Sequence, residues 1–352
     1  MKPFIYTGFA SRVVFGAGCI EQLPDEVERL GVKRALILST SEQANSAREV
    51  MKALGARAVG VYDKAMMHVP IETAEEARLV ARELEADCYV TVGGGSTTGL
   101  GKAIALTSGL PILAVPTTYA GSEMTPIYGL TQGGMKKTGR DARVLPKTVI
   151  YDPTLTIALP PTVSAVSGMN AIAHCVEALY AHDGNPIVSI MAEEGIRALA
   201  AALPVVVENP SDIQARSNAL YGAWLGGISL GGAGMALHHK LCHILGGSYN
   251  LPHADTHSIV LPHAAHYNDT ATDAMVRIAR ALGAKEAPRG LWDLASNLGI
   301  PMALRDLAFK ETDLERAAEM ATESPYPNPR PVEYAGVLAL LRDAYDGRPP
   351  GT

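Results

Sequence analysis

The stretch VTVGGGSTTGLGKAIAL, residues 90–106, narrows the choice of folds more than any other in the chain. Its β-branched start reads as a strand, Gly93, Gly94 and Gly95 as a tight turn, and the alanine- and leucine-rich remainder as a helix. A strand feeding a helix through glycine is half of a parallel β-α-β unit, and the surrounding sequence repeats that alternation. FIYTG (4–8) and RVVFG (12–16) read as strands, followed by a helix over 19–30. RALILST (34–40) is a near-continuous apolar run, the pattern of a strand buried on both faces. AVGVYD (58–63), a charged helix over 71–86, CYVTV (88–92), PILAVP (111–116) and TVIYDP (148–153) continue the series. The expectation is an α/β domain built on a Rossmann-like parallel sheet.

After LPP (159–161) strand signals almost vanish and apolar residues recur at helical spacing, in segments rich in Ala, Gly and Leu. Two domains follow: an α/β domain over 1–157 and an all-helical domain over 158–352. The charged fraction of 19% and hydrophobic fraction of 47% belong to a globular chain, and the net charge of −6 gives no footprint for nucleic acid. No apolar run reaches membrane-spanning length and the start lacks a signal-peptide pattern, so the cytoplasm is the expected location. Cys19, Cys88, Cys175 and Cys242 form no CxxC pair and read as buried, reduced thiols.

The glycine turn suits a diphosphate. Glycine lets the backbone come close, and the free N–H groups and positive end of the helix offset the charge, with Ser96 or Thr97 capping the helix. It is not a GxGxxG fingerprint, and it follows several strands instead of opening the domain. At the end of RALILST, Ser39, Thr40 and Ser41 stand where an acidic residue would select the unphosphorylated ribose. Hydroxyls there predict weak discrimination between NADH and NADPH. The loop VPTTYAGSEMTP (115–126) places Thr117, Thr118, Tyr119 and Ser122 at the sheet's carboxyl edge, where open α/β sheets bind ligands. Lys136 and Lys137 lie downstream in a segment that reads equally well as a solvated hairpin.

LHHKLCHILGGSYNLPHADTH (237–257) holds five of the ten histidines. On a helix His239 and His243 share a face, and Pro252 interrupts the backbone just before His253, so a helix-turn can aim three imidazoles at one point. His174, in GMNAIAH, joins them if its helix packs alongside. Imidazoles in such a cluster can hold a metal, move a proton or bind an anion.

GGGS, PTTYAGSE, YDPTLTIALPP, GMNAIAH, HHKLCHILGG and LPHADTHSIVLPH together resemble the iron-containing, group III alcohol dehydrogenase superfamily, and within it the maleylacetate reductases. The resemblance implies a dinucleotide-binding α/β domain, an all-α domain and commonly a homodimer. It also implies NADH or NADPH as cofactor, with Lys137 and Leu155 added to the nucleotide-facing residues above.

In metal-dependent members an aspartate and three histidines bind the ion, and by motif those positions are Asn170, His174, His239 and His253. An amide in place of the aspartate loses an anionic ligand, so a site with no metal requirement is expected. The implied reaction is reduction of the conjugated C=C of maleylacetate, a small dianion, or of its substituted analogues, to 3-oxoadipate in aromatic catabolism. The charge then develops on an enolate, which imidazole donors from His243 or His253 can stabilise. His174, His239 and Lys240 complete the expected catalytic group; Lys240 with the neighbouring His238, His239 and His243, together with Tyr326 or Arg330 in SPYPNPRP, is expected to bind the carboxylates. The alternatives are a metal-dependent alcohol or aldehyde dehydrogenase and, further off, a dehydroquinate-synthase-like lyase.

Overall fold

A computed structural model describes residues 4–9, 11–133 and 135–351; the side chains at 135 and 136, and with them the Lys136 reading, lie outside the described residues. The chain forms two compact units, one over residues 8–159 and one over residues 160–352 grouped with the chain up to residue 7.

The first unit alternates strand and helix: β1 Arg12–Phe15, α1 Leu23–Arg29, β2 Ala35–Leu38, α2 Ala44–Leu54, β3 Ala58–Tyr62, α3 Ile71–Glu83, β4 Cys88–Gly93, α4 Gly95–Ser108 and β5 Ile112–Pro116. A hairpin of β6 Ile127–Gln132 and β7 Met135–Arg140 precedes β8 Thr148–Tyr151. Six strands make one parallel sheet in the order β1-β8-β5-β4-β2-β3. Every residue of β2, β4, β5 and β8 is buried, because helices cover both faces, which is why these strands are apolar throughout instead of alternating. The winding direction reverses between β2 and β4, so their carboxyl ends flank a crevice of the kind that binds ligands in open α/β sheets.

The expected strand at FIYTG does not form. Phe4, Ile5 and Tyr6 are exposed and outside both sheets, since a β-prone sequence becomes a strand only when a neighbouring edge supplies its hydrogen bonds.

The second unit is helical: α5 Pro161–Leu179, α6 Pro186–Glu208, α7 Ile213–Gly232, α8 Leu237–Tyr249, α9 His253–Tyr267, α10 Thr272–Leu282, α11 Ala287–Asn297, α12 Leu314–Thr322 and α13 Tyr334–Asp346. Side-chain oxygens start α6 and α7, where Asn185 accepts from the Val188 amide at 3.0 Å and Asp212 from that of Ala215 at 2.9 Å. α5 runs through the interior, with all residues from Ser164 to Ala178 buried, which forces the polar groups it carries to find partners inside the protein. α7 and α8 meet at 97° across a short break, and Asn250, in the left-handed region at φ 55°, ends α8 so that α9 can begin at His253. Among the described residues no single helix is long and apolar enough to cross a membrane.

Candidate active site

In the first unit, the end of β4 and the start of α4 form the glycine turn. Gly93 sits at φ 152°, and a Cβ there would come within 2.4 Å of Gln43 Oε1 and 2.5 Å of Thr97 Oγ1, so glycine is required on both counts. A Cβ at Gly94 would meet the Thr118 side chain at 2.9 Å, so the turn and the loop after β5 are in contact. Thr117 reinforces this junction: its amide donates to Gly93 O at 3.1 Å and its Oγ1 accepts from Gln43 Nε2 at 2.6 Å.

Ser96 and Thr97 do not cap α4, contrary to expectation. The helix already starts at Gly95, its N-cap is Gly94, and Ser96 and Thr97 fall in the first turn. The first helical bond is Thr98 N–H to Gly94 O, at 3.1 Å. The amides of Gly95, Ser96 and Thr97 therefore have no helical carbonyl, and the positive helix end is left for an anion. Thr97 Oγ1 and Ser39 Oγ are buried and lack partners among the described residues, so both hydroxyls remain available to a ligand. Ser39 follows β2 and is held by its backbone, with Thr40 beside it as N-cap of a short 3-10 turn at Ser41–Gln43. Tyr119 is fully buried, Ser122 begins a 3-10 turn, and Leu155 packs against the sheet core from the turn at Pro153–Thr156. Lys137 is exposed on β7 opposite Leu130, the solvated-hairpin position.

In the second unit, α5, α8 and α9 bring the imidazoles together. Ring centroids lie 5.1 Å apart for His174 and His239, 4.9 Å for His239 and His257, 4.8 Å for His238 and His257, and 4.1 Å for His253 and His257. His243 stands one turn along α8 from His239, at 6.2 Å, and is exposed. Sequence reasoning gave His238 a part only in carboxylate binding beside Lys240 and gave His257 none, although His257 repeats on α9, after His253, the four-residue spacing seen between His239 and His243.

It also missed Glu177, one turn after His174 on α5 and fully buried. Its carboxylate takes the amides of Ala236 at 2.9 Å, His238 at 2.9 Å and His239 at 3.3 Å, and so caps the N-terminus of α8. It also bonds His239 Nδ1 at 2.6 Å. The three amides can only donate, which favours the carboxylate form and places the proton of the shared bond on His239 Nδ1. His239 Nε2 is then a bare acceptor, the arrangement in which an outer carboxylate fixes a metal ligand's tautomer.

Burial, reinforced by neighbouring imidazoles, holds His174 and His257 well below the ordinary histidine value. It pushes His238 down to about 4 and His239 to about 3. Burial raises Glu177, with His238 and the three amides opposing it. At neutral pH the buried imidazoles are uncharged, so they do not neutralise an anion as imidazolium ions.

Two family models match the chain: Iron-containing alcohol dehydrogenase over residues 10–153, and the C-terminal part of the Fe-containing alcohol dehydrogenase family over 164–345. The chain belongs to the iron-containing alcohol dehydrogenase family. Within this family it is 60% identical to a maleylacetate reductase of Burkholderia cepacia, covering 99% of each chain. Its fold matches the crystal structure of maleylacetate reductase from Agrobacterium tumefaciens with a TM-score of 0.96 at 50% identity, covering 99% and 100% of the two chains. It also matches an iron-containing alcohol dehydrogenase of Corynebacterium glutamicum with a TM-score of 0.95 at 44% identity, covering 99% and 98%.

The family corrects one expectation. A site without a metal requirement was inferred from Asn170, but membership of the iron-containing alcohol dehydrogenases implies a metal ion beside the nicotinamide nucleotide. The residues present fit such an ion. Asn170 Oδ1, His174 Nδ1, His239 Nε2 and both ring nitrogens of His257 are buried without partners among the described residues. Ligand atoms of His238, His239 and His257 lie within 4.8 Å of one another. The Glu177 carboxylate adds a buried negative charge beside these neutral donors, which a cation offsets. Nitrogen-rich donor sets of this kind suit first-row divalent ions, and a neutral amide at 170 lowers the site's charge without removing its oxygen donor.

Proposed function

We propose that this chain is an NAD(P)H-dependent reductase of maleylacetate, giving 3-oxoadipate. Full-length identity to a maleylacetate reductase carries the reading, and the two sites supply its parts. The open amides of Gly95, Ser96 and Thr97 take the coenzyme's diphosphate, while Gly93, Gly94, Thr117, Thr118, Tyr119, Ser122, Leu155 and Lys137 remain the candidates around it.

Hydride passes from the reduced nicotinamide to the carbon β to the ketone, the C=C π pair moves to the oxo oxygen as an enolate, and a proton then returns to the α carbon. His243, exposed within α8, and His253, half-buried at the start of α9, donate N–H groups to the enolate and relay that proton, whereas the buried histidines hold the site's shape. Asn170, His174, His239 and His257 would hold the family's metal ion, which when bound would polarise the oxo oxygen.

The substrate's carboxylates need cationic or hydroxyl partners. Lys240 Nζ lies 5.9 Å from the Tyr326 ring centroid, and Tyr326 Oη is buried without a partner among the described residues. This pair is the proposed carboxylate site. Arg330, the alternative, is committed elsewhere, stacked 4.5 Å over the Tyr267 ring.

Exposed Phe4, Ile5 and Tyr6, with Phe15 exposed on the edge strand β1, support a homodimer that covers them. A reductase fed by the cellular NAD(P)H pool belongs in the cytoplasm.

With hydroxyls at Ser39 and Thr40, kcat/KM for NADH and NADPH is expected to agree within about tenfold, since no carboxylate repels the 2′-phosphate. Initial rates of coenzyme oxidation with maleylacetate measure the ratio. A preference of many hundredfold for NADH contradicts this account of the ribose site.

A further inference from the structure

Lys102 lies on α4 two turns beyond the glycine turn and has no exposed surface. A charged side chain in that position is expensive unless every donor is met. Here Nζ donates to Ser122 O at 2.6 Å, Thr125 O at 2.7 Å, Thr125 Oγ1 at 3.0 Å and Ile127 O at 2.8 Å. These oxygens all come from the segment that follows the Thr117–Thr118 contact with the glycine turn, and none belongs to a carboxylate. Burial pushes Lys102 down to about 7, with the buried Glu123 opposing. Glu123 accepts from Tyr151 Oη of β8 at 2.8 Å, so the same segment is fastened to the sheet from its other side.

A connection of ten residues between β5 and β6 would ordinarily keep backbone freedom at each residue. One ammonium that gathers the Ser122 and Thr125 carbonyls of this connection and the Ile127 carbonyl at the start of β6 removes that freedom in its second half, downstream of the Thr118 contact with Gly94. We propose that Lys102 is a positioning residue for coenzyme binding: it clamps the 117–127 segment against α4, so that Thr117, Thr118 and the open amides of the glycine turn form a preorganised diphosphate and nicotinamide wall. The inference rests on the coenzyme site proposed above and assigns Lys102 no contact with substrate or coenzyme.

The test compares wild type with Lys102→Met and Thr125→Val by NADH fluorescence titration, steady-state kinetics and amide hydrogen exchange. Lys102→Met is expected to raise the Kd and KM for NADH about tenfold or more, leave the KM for maleylacetate within about twofold, and speed exchange at 117–127. Thr125→Val, which keeps the lysine but removes the Oγ1 that accepts from Nζ and from the Ile127 amide and donates to Ser122 O, is expected to raise the NADH Kd by about threefold.

If Lys102→Met does not fold, the Thr125→Val titration decides alone. An unchanged NADH Kd in a folded Lys102→Met, or in Thr125→Val when that variant decides, overturns the proposal. So does a rise in both KM values together, the mark of general structural damage. Failure of wild type itself to bind NADH would instead remove the coenzyme-site reading, which keeps the two outcomes apart.

Discussion

Glu177→Gln is expected to lower turnover by about 10²–10³-fold while leaving coenzyme affinity unchanged, a loss in the range seen when a group that orients a catalytic or metal-binding imidazole is altered. The carboxylate accepts on both oxygens: the amides of Ala236 and His239 and His239 Nδ1 on one, the His238 amide and the Tyr180 hydroxyl on the other. A carboxamide has one accepting end. With that end toward His238, the NH₂ group faces His239 Nδ1 and drives that ring to the opposite tautomer, which puts a proton on Nε2 and ends its role as an acceptor, and it also opposes the amides of Ala236 and His239. Placed the other way, the NH₂ group opposes the His238 amide in a buried site, at a cost of about 1–3 kcal/mol of stability. Both placements also delete the negative charge that favours a cation. Kinetics, circular dichroism and divalent-metal competition on the purified variant read these effects together. Wild-type turnover and metal affinity in a folded Glu177→Gln would show that the imidazole cluster does not depend on this carboxylate.

His243→Ala is expected to remove about 10²–10⁴-fold of turnover, the usual contribution of a positioned general acid, with little effect on fold or coenzyme affinity. The two halves of that expectation have separate causes. His243 is exposed on α8, so its truncation leaves no core cavity, and surface changes of this kind shift stability by about 0.5 kcal/mol or less. It is also the cluster imidazole best placed to exchange a proton with water, whereas His174, His238, His239 and His257 are buried and held neutral. Pre-steady-state transients with reduced coenzyme separate binding from chemistry. Near-wild-type turnover in His243→Ala would transfer the proton-relay role to His253.

The parts of the fold that depend on local pattern were legible. β2, β4, β5 and β8 are buried on both faces and carry the uninterrupted apolar runs that such strands need, and the helical spacing beyond residue 160 became helices. FIYTG misled because strand formation needs a partner edge that propensity does not reveal. Ser96 and Thr97 misled in a smaller way: α4 begins at Gly95, two residues earlier than a Ser96 cap requires, which hands the amides to a ligand.

The site was half legible. His174, His239, His243 and His253 were named from clustering and motif, but Glu177 and Lys102 were not, since each looks like an ordinary charge on a helix until tertiary contacts show it fully buried. The signal was present in both cases, as a lone charge within an apolar helical run. Asn170 carried too much weight: loss of one anionic ligand was read as loss of the metal, although the second carboxylate, Glu177, stands behind His239.

The central claim is that hydride enters the conjugated C=C and not the ketone. The most direct measurement uses coenzyme deuterated at the transferred position with maleylacetate, followed by NMR of the product. The account predicts 3-oxoadipate with deuterium on the methylene carbon β to the ketone, beside the carboxylate. Deuterium on a carbinol carbon, with the C=C intact, would contradict it and assign the chain to alcohol dehydrogenase chemistry.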